Sequence, residues 1–230
     1  MSEHEPITLY AGEPEAGPFR VVPVADVLDR LGTPPPGRPR VVAVDGRGGS
    51  GKSTVARRLA AAAGATTTAT VVSTDDVAWH HSFFDWTDLL VEGVLRPARA
   101  GRAVAYRPPA WSARWRGGSI GVPAGTRWVF LEGVGSGRRE LADLVDAVLW
   151  VQSDARAAEH AGIERDVAAG DNGDRDEATR FWHEWQAEEI PFLAEQRPWE
   201  RAILVLAGVG LPTPPAGELL VAEPPTTTKG

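Results

Sequence analysis

Cysteine is absent from the 230 residues, so disulfides and cysteine-based metal or redox chemistry are excluded. That absence fits a reducing compartment. Lysine is nearly absent as well: Lys52 and Lys229 are the only two, and arginine carries almost all the basic charge. There is no basic excess, because the formal net charge is -7. A general nucleic-acid binder normally shows a basic surface, so no nucleic-acid partner is expected. No apolar run approaches the roughly 20 residues needed to span a membrane. The polar, acidic stretch Met1–Pro6 does not read as a signal peptide. The expected setting is therefore cytoplasmic, without a membrane partner. His80, His81 and His183 have no third ligand at metal spacing, which argues against a zinc site.

What is present suits a globular chain. Hydrophobic residues make up 43%, enough for a core. Residues 20–31 read as a short strand and a helix, followed by the Pro/Gly spacer 33–39. Val41–Asp45, Val71–Thr74, Trp128–Leu131, Ala147–Val151 and Ile203–Leu206 are short runs rich in apolar residues, suited to buried parallel strands. Helical patterns lie between them over Ser53–Ala63, Thr87–Leu95, Ala155–Ala169 and Glu177–Gln196. Pro97–Gly125 reads as an irregular insertion rich in Pro, Gly, Arg and Trp. Alternating strands and helices predict a three-layer α/β fold, with a mostly parallel sheet between helices and ligands at the C-terminal ends of the strands. The expected organisation is an N-terminal extension over 1–39 and a main domain over 40–211 with a lid at about 165–180. A disordered tail is expected over 212–230.

Gly46-Arg47-Gly48-Gly49-Ser50-Gly51-Lys52-Ser53 matches Gly-x4-Gly-Lys-Ser. Glycines let the backbone turn sharply and aim several N–H groups into one hollow, and the following helix adds the positive end of its dipole. Lys52 suits the β- and γ-phosphates, the Ser53 hydroxyl suits Mg²⁺, and Thr54 follows at the helix start. The motif follows a predicted strand and opens a predicted helix, which is the context a phosphate-binding P-loop requires. A guanine-nucleotide switch would need an Asn-Lys-x-Asp segment, and the sequence has none.

Val71-Val72-Ser73-Thr74-Asp75-Asp76 puts two carboxylates at the C-terminal end of the second strand. Asp75 there suits orienting or deprotonating an acceptor hydroxyl, and holding Mg²⁺-bound water. A neighbouring cation is expected to keep its pKa low. Glu132, an acid after an apolar strand and before Gly133, suits a metal shell. Trp111, Arg107 and the nearby arginines of the insertion are candidates for an acceptor pocket built on stacking and charge.

The phosphate loop, Ser73-Thr74-Asp75, Phe84 to Leu90, Val129 to Gly133 and Ile163-Glu164-Arg165-Asp166, taken in order, resemble the uridine kinase-like branch of P-loop kinases. That resemblance implies ATP- or GTP-dependent, Mg²⁺-assisted transfer to a hydroxyl of a small acceptor, a pyrimidine nucleoside in the family. It implies catalytic roles for Asp75, Lys52 and Arg165. It implies nucleotide contacts from Gly46, Gly48, Gly49, Ser50, Gly51, Lys52, Ser53 and Thr54, and a metal set of Ser53, Asp75 and Glu132. Asp76, Asp85, Tyr106, Arg107 and Trp111 are the acceptor candidates. The sequence departs from the family at His80-His81-Ser82-Phe83, where a ribose-contacting aspartate is usual, and after Tyr106, where a histidine is usual. Ala161 and Gly162 stand where two lid arginines are typical, and Arg175 is a candidate substitute. A kinase of another small alcohol (a sugar, a vitamin precursor or an antibiotic) and a nucleotide-binding regulatory NTPase are the alternatives. Self-association is left open.

Overall fold

The computed structural model describes residues 7–170 and 172–225. A seven-stranded sheet runs in the order β1-β9-β8-β7-β2-β6-β3. The strands are β1 (Arg20–Pro23), β2 (Arg40–Asp45), β3 (Ala69–Ser73), β6 (Trp128–Glu132), β7 (Ala147–Gln152), β8 (Ala202–Ala207) and β9 (Glu218–Ala222). The five strands from β3 to β8 are mutually parallel. β9 and β1 close one edge antiparallel. β4 (Val104–Tyr106) and β5 (Ile120–Val122) form a separate antiparallel hairpin within the insertion.

The central strands are apolar throughout because both faces are covered. Val42, Val44, Phe130, Leu149 and Leu206 pack against α1 (Val24–Leu31) and α2 (Lys52–Gly64). Alternate residues face the other way. Val41, Val129 and Leu131 pack against α4 (Thr87–Leu90), α5 (Arg96–Arg99) and the hairpin. Ala43, Val148 and Trp150 pack against Leu193 of α8 (Arg175–Gln196). The expected three-layer arrangement is therefore present.

Three features differ from the sequence expectation. Val91–Leu95, between α4 and α5, is π-helical, and a Cβ at Gly93 would strike the Tyr106 ring. The insertion holds the hairpin and α6 (Pro109–Ala113) rather than irregular chain. Residues 218–222, expected within a disordered tail, are strand β9. Gly217 turns the chain at φ 79°, and Leu219, Leu220 and Val221 are buried on pairing with β1 and β8. The same pairing makes Arg20–Pro23 part of the main sheet, with α1 packed on it, instead of an extension to it. Residues 1–6, 171 and 226–230 lie outside the described residues, so the expected lid and tail are seen only in part.

Candidate active site

Parallel pairing fixes which residues end level. Ser73 of β3 and Val44 of β2 both pair with Glu132, and Asp45 pairs with Trp150. The phosphate loop, Asp75 and Glu132 thus emerge along one edge of the sheet, as ligand sites of open α/β sheets do.

Asp45 is the hidden organiser of that edge. Its fully buried carboxylate accepts from the amides of Gly46 at 2.8 Å, Gly135 at 2.9 Å and Gly137 at 2.8 Å. It ties the start of the phosphate loop to the loop after β6. Burial pushes its pKa up, against the pull of those amides and of Lys52.

The loop itself has the form its glycines predict. Gly49 and Gly51 take φ of 69° and 98°, values that disfavour other residues. Glycine is further required at 46, where a Cβ would lie 2.6 Å from the Val151 carbonyl oxygen. Helix α2 starts at Lys52 with no side-chain cap and no acidic residue in its first turn. An uncapped helix start of 13 residues behind a glycine loop suits an anion. Lys52 is buried and its Nζ donates to the Arg47 carbonyl at 2.7 Å. Arg47 itself is fully buried, paired to Glu13 and lying over the Tyr10 ring at 4.0 Å.

Asp75 sits in the first turn of α3 (Thr74–Ala78), where Ser73 supplies the cap by accepting from the Asp75 amide at 3.3 Å. Capping is therefore done by the neighbour, and the Asp75 carboxylate makes no hydrogen bond among the described residues. It reaches solvent, yet protein packs densely around it. That lost hydration raises its pKa, with Glu132 and Asp76 adding to the rise and Lys52 and Arg165 opposing it. The expected cations are there and pull the pKa down, but in the metal-free protein the packing around Asp75 acts more strongly. Lys52, Glu132, Arg165 and Asp76 are thus the charged groups near enough to Asp75 to act on it.

The residues fit a hard divalent cation. Ser53 Oγ donates to Glu132 Oε2 at 3.0 Å, so hydroxyl and carboxylate already face each other, with Asp75 close by. Among the described residues, no three His, Cys, Asp or Glu side chains form a closed metal cage. Mg²⁺ suits such an open oxygen set, since it keeps several waters and takes few protein ligands.

The acceptor candidates divide. Asp76 pairs with Arg116 at 2.5 Å beside Asp75. Trp111 is buried, its indole N–H donates to the Asp76 carbonyl at 2.8 Å, and Arg116 covers its face at 3.7 Å. Arg107 donates to the carbonyls of Gly118 at 2.9 Å and Arg116 at 2.7 Å. The expectation of free stacking and charge from Trp111 and Arg107 thus changes: both are consumed in building the wall that presents Asp76 and Arg116. Tyr106 lines a separate cavity of about 460 Å³ with Asp88 and Glu92, and Asp75, Asp76 and Trp111 do not line it. Asp85 is exposed, near the buried Arg138.

On α7 (Ala155–Ala169), Arg165 donates to Asp166 at 2.8 and 3.0 Å, and Asn172 holds the other Asp166 oxygen at 3.1 Å. Arg175 forms an exposed fork with Glu164 at 2.6 and 3.1 Å, a surface helix pair and not a charge in the cleft. Gly162 is explained by packing, because any Cβ there would strike the Trp182 ring. Sequence reasoning missed Asp45, Glu13, Arg138 and Glu189. Only Asp45, the residue before the glycine loop, stood beside a readable signal. Arg138 is stacked on Trp86 at 3.8 Å, donates to the Phe84 carbonyl at 2.7 Å, and is pushed down to about 10 by burial.

No protein-family model and no curated protein matches the chain. Among solved structures it is similar to a "putative fructose transport system kinase" from Silicibacter sp. TM1040, with a TM-score of 0.52 at 22% identity over 78% of this chain and 92% of that one. It is also similar to a "Possible Uridine Kinase" from Bacillus stearothermophilus, with a TM-score of 0.48 at 17% identity over 79% and 96%. The former superposition, with the strand order, shows the fold alone: α/β, with a mostly parallel sheet between helices.

Proposed function

We propose that the chain transfers the γ-phosphoryl group of a nucleoside triphosphate, ATP or GTP, to a hydroxyl of a small molecule. One observation carries this reading. Asp75, free of the capping duty its position would suggest, lies within electrostatic reach of Lys52, the first residue of the uncapped α2, and of Glu132 and Arg165.

The amides of Gly49 to Thr54 and the Lys52 ammonium would grip the polyphosphate. Lys52 would exchange its bond to the Arg47 carbonyl for phosphate oxygens. Ser53, Glu132 and Asp75 would hold Mg²⁺, which when bound supplies charge neutralisation at the transferring group. Asp75 would accept a hydrogen bond from the acceptor hydroxyl and aim its oxygen along the line of attack. It would take up the proton as the new O–P bond forms and the bond from the γ-phosphorus to the bridging oxygen breaks, releasing the nucleoside diphosphate. Arg165, oriented by Asp166, would face the charge on the moving group. In this reading the chain is a small-molecule kinase whose partner is its acceptor. No helix among the described residues is long and apolar enough to cross a membrane.

A second reading concerns the acceptor. Arg116 covers Trp111, and Tyr106 lines a different cavity from the Asp75 cleft. These two facts favour a small alcohol other than a pyrimidine nucleoside, met by the Asp76–Arg116 pair. A panel of nucleosides, sugars and other alcohols, incubated with γ-labelled ATP, tests both readings. Label on any acceptor supports the phosphotransferase reading; label on a sugar or other alcohol supports the second, and label confined to uridine or cytidine contradicts it. Folded protein that labels none contradicts the phosphotransferase assignment.

A further inference from the structure

Glu189 lies within α8, fully buried, and takes no part in the chemistry described above. Its Oε1 accepts from the amide of Gly48 at 2.5 Å, and its Oε2 accepts from the Tyr10 hydroxyl at 3.1 Å. A buried carboxylate is tolerated only when well paired, and here two donors meet it, one on each oxygen.

Gly48 is the third residue of the phosphate loop, and α8 presses directly on it. A Cβ at 48 would lie 3.1 Å from the Trp182 ring, 3.2 Å from Trp185 Nε1 and 3.4 Å from Glu189 Oε1. The same Trp182 ring would lie 3.2 Å from a Cβ at Gly49 and is the reason for glycine at 162. Tyr10, which bonds Glu189, also carries the Arg47 guanidinium on its ring at 4.0 Å. The second half of the loop is fixed by becoming α2. Its first half, Arg47-Gly48-Gly49, has only one turn bond of its own, from the Ser50 amide to the Arg47 carbonyl at 3.2 Å, and is otherwise held from outside by α8 and the N-terminal segment.

A glycine-rich loop has the most backbone freedom to lose when it grips a ligand. Holding it beforehand moves that loss from binding into folding. We propose that Glu189 is a positioning residue for the phosphate loop: its bond to the Gly48 amide keeps the loop in the shape that receives the triphosphate. The inference rests on the phosphotransferase reading and adds to it a role for the lid-side helix.

The test uses the full chain with Glu189→Ala and Glu189→Gln. Glutamine keeps an oxygen that accepts from the Gly48 amide, whereas alanine does not. Amide hydrogen exchange over residues 46–51 should rise about tenfold or more in E189A and stay near wild type in E189Q. The Kd for Mg-ATP should weaken about tenfold in E189A and stay within about threefold in E189Q. The KM of the acceptor should move less than about twofold, a split that general destabilisation would not give. Glu189→Met carries the same expectation should the alanine variant fail to fold. Unchanged loop exchange in a folded E189A would overturn the proposal. So would tighter Mg-ATP binding by E189Q than by wild type, which would mean the carboxylate competes with phosphate. A wild-type chain that binds no Mg-ATP would remove the phosphotransferase reading, and the exchange comparison would still decide whether Glu189 fixes the loop.

Discussion

Replacing Glu13 by alanine should cripple the stability of this protein from a residue remote in sequence from the chemistry. Glu13 is buried and accepts from three groups: the Arg47 guanidinium, Trp150 Nε1 at 2.9 Å and Gln152 Nε2 at 3.1 Å. Arg47 is fully buried, and its Nε and one Nη have no partner of their own. Among the described residues, Glu13 is the one carboxylate paired with it, helped only by the face of the Tyr10 ring. Breaking a buried pair by removing one partner costs about 3–5 kcal/mol, because the other charge stays behind without compensation. For a chain of this size each kcal/mol lowers Tm by about 2–4 °C. The expected drop is about 6–20 °C, read by circular dichroism melts. A double variant supplies the control. If the damage comes from the stranded cation, E13A/R47M should melt higher than E13A alone, since both charges are then gone. A drop below about 2 °C for E13A, or a double variant no better than the single one, would refute the claim that Glu13 exists to neutralise Arg47.

Other expectations follow from the cleft. Lys52→Ala should lower turnover by about two orders of magnitude or more, measured by label transfer at saturating ATP, since it removes the cation at the transferring phosphate. Asp75→Asn should abolish most transfer, by about 10²–10⁴, yet raise Tm. The pKa of Asp75 is higher folded than unfolded, so the folded chain keeps a proton that the unfolded chain loses above about pH 4. Stability from this group falls as pH rises through its folded pKa. The Tm advantage of D75N should thus be larger at pH 8 than at pH 4, and an advantage that shrinks with pH would contradict the raised pKa. Gly162→Ala should cost about 1–3 kcal/mol by pushing Trp182 off its seat against the phosphate loop, visible as lower Tm and altered tryptophan emission.

The parallel strands and the phosphate loop were readable because their signals are local. Val41–Asp45 is apolar at every position but its last, as a strand buried on both faces must be, and the glycines that follow need φ values few other residues take. Strand β9 was not readable, because Leu219-Leu220-Val221 is a brief apolar run among Pro and Thr. Its reason to be a strand is β1, almost 200 residues earlier. Glu13 and Glu189 were hidden for a related reason. Within their own segments each is one glutamate among many, and only folding shows that one faces Arg47 and the other Gly48. The acceptor wall was misjudged in detail because sequence lists the Trp and Arg side chains but not which of them stack on each other.

Calorimetric titration of the folded chain with Mg-ATP and Mg-GTP tests the central claim most directly. A Kd in the micromolar to millimolar range is expected, lost on Lys52→Ala, with a matching rise in Tm as nucleotide is added. No heat and no thermal protection from either nucleotide would contradict the assignment of the glycine loop as a triphosphate site.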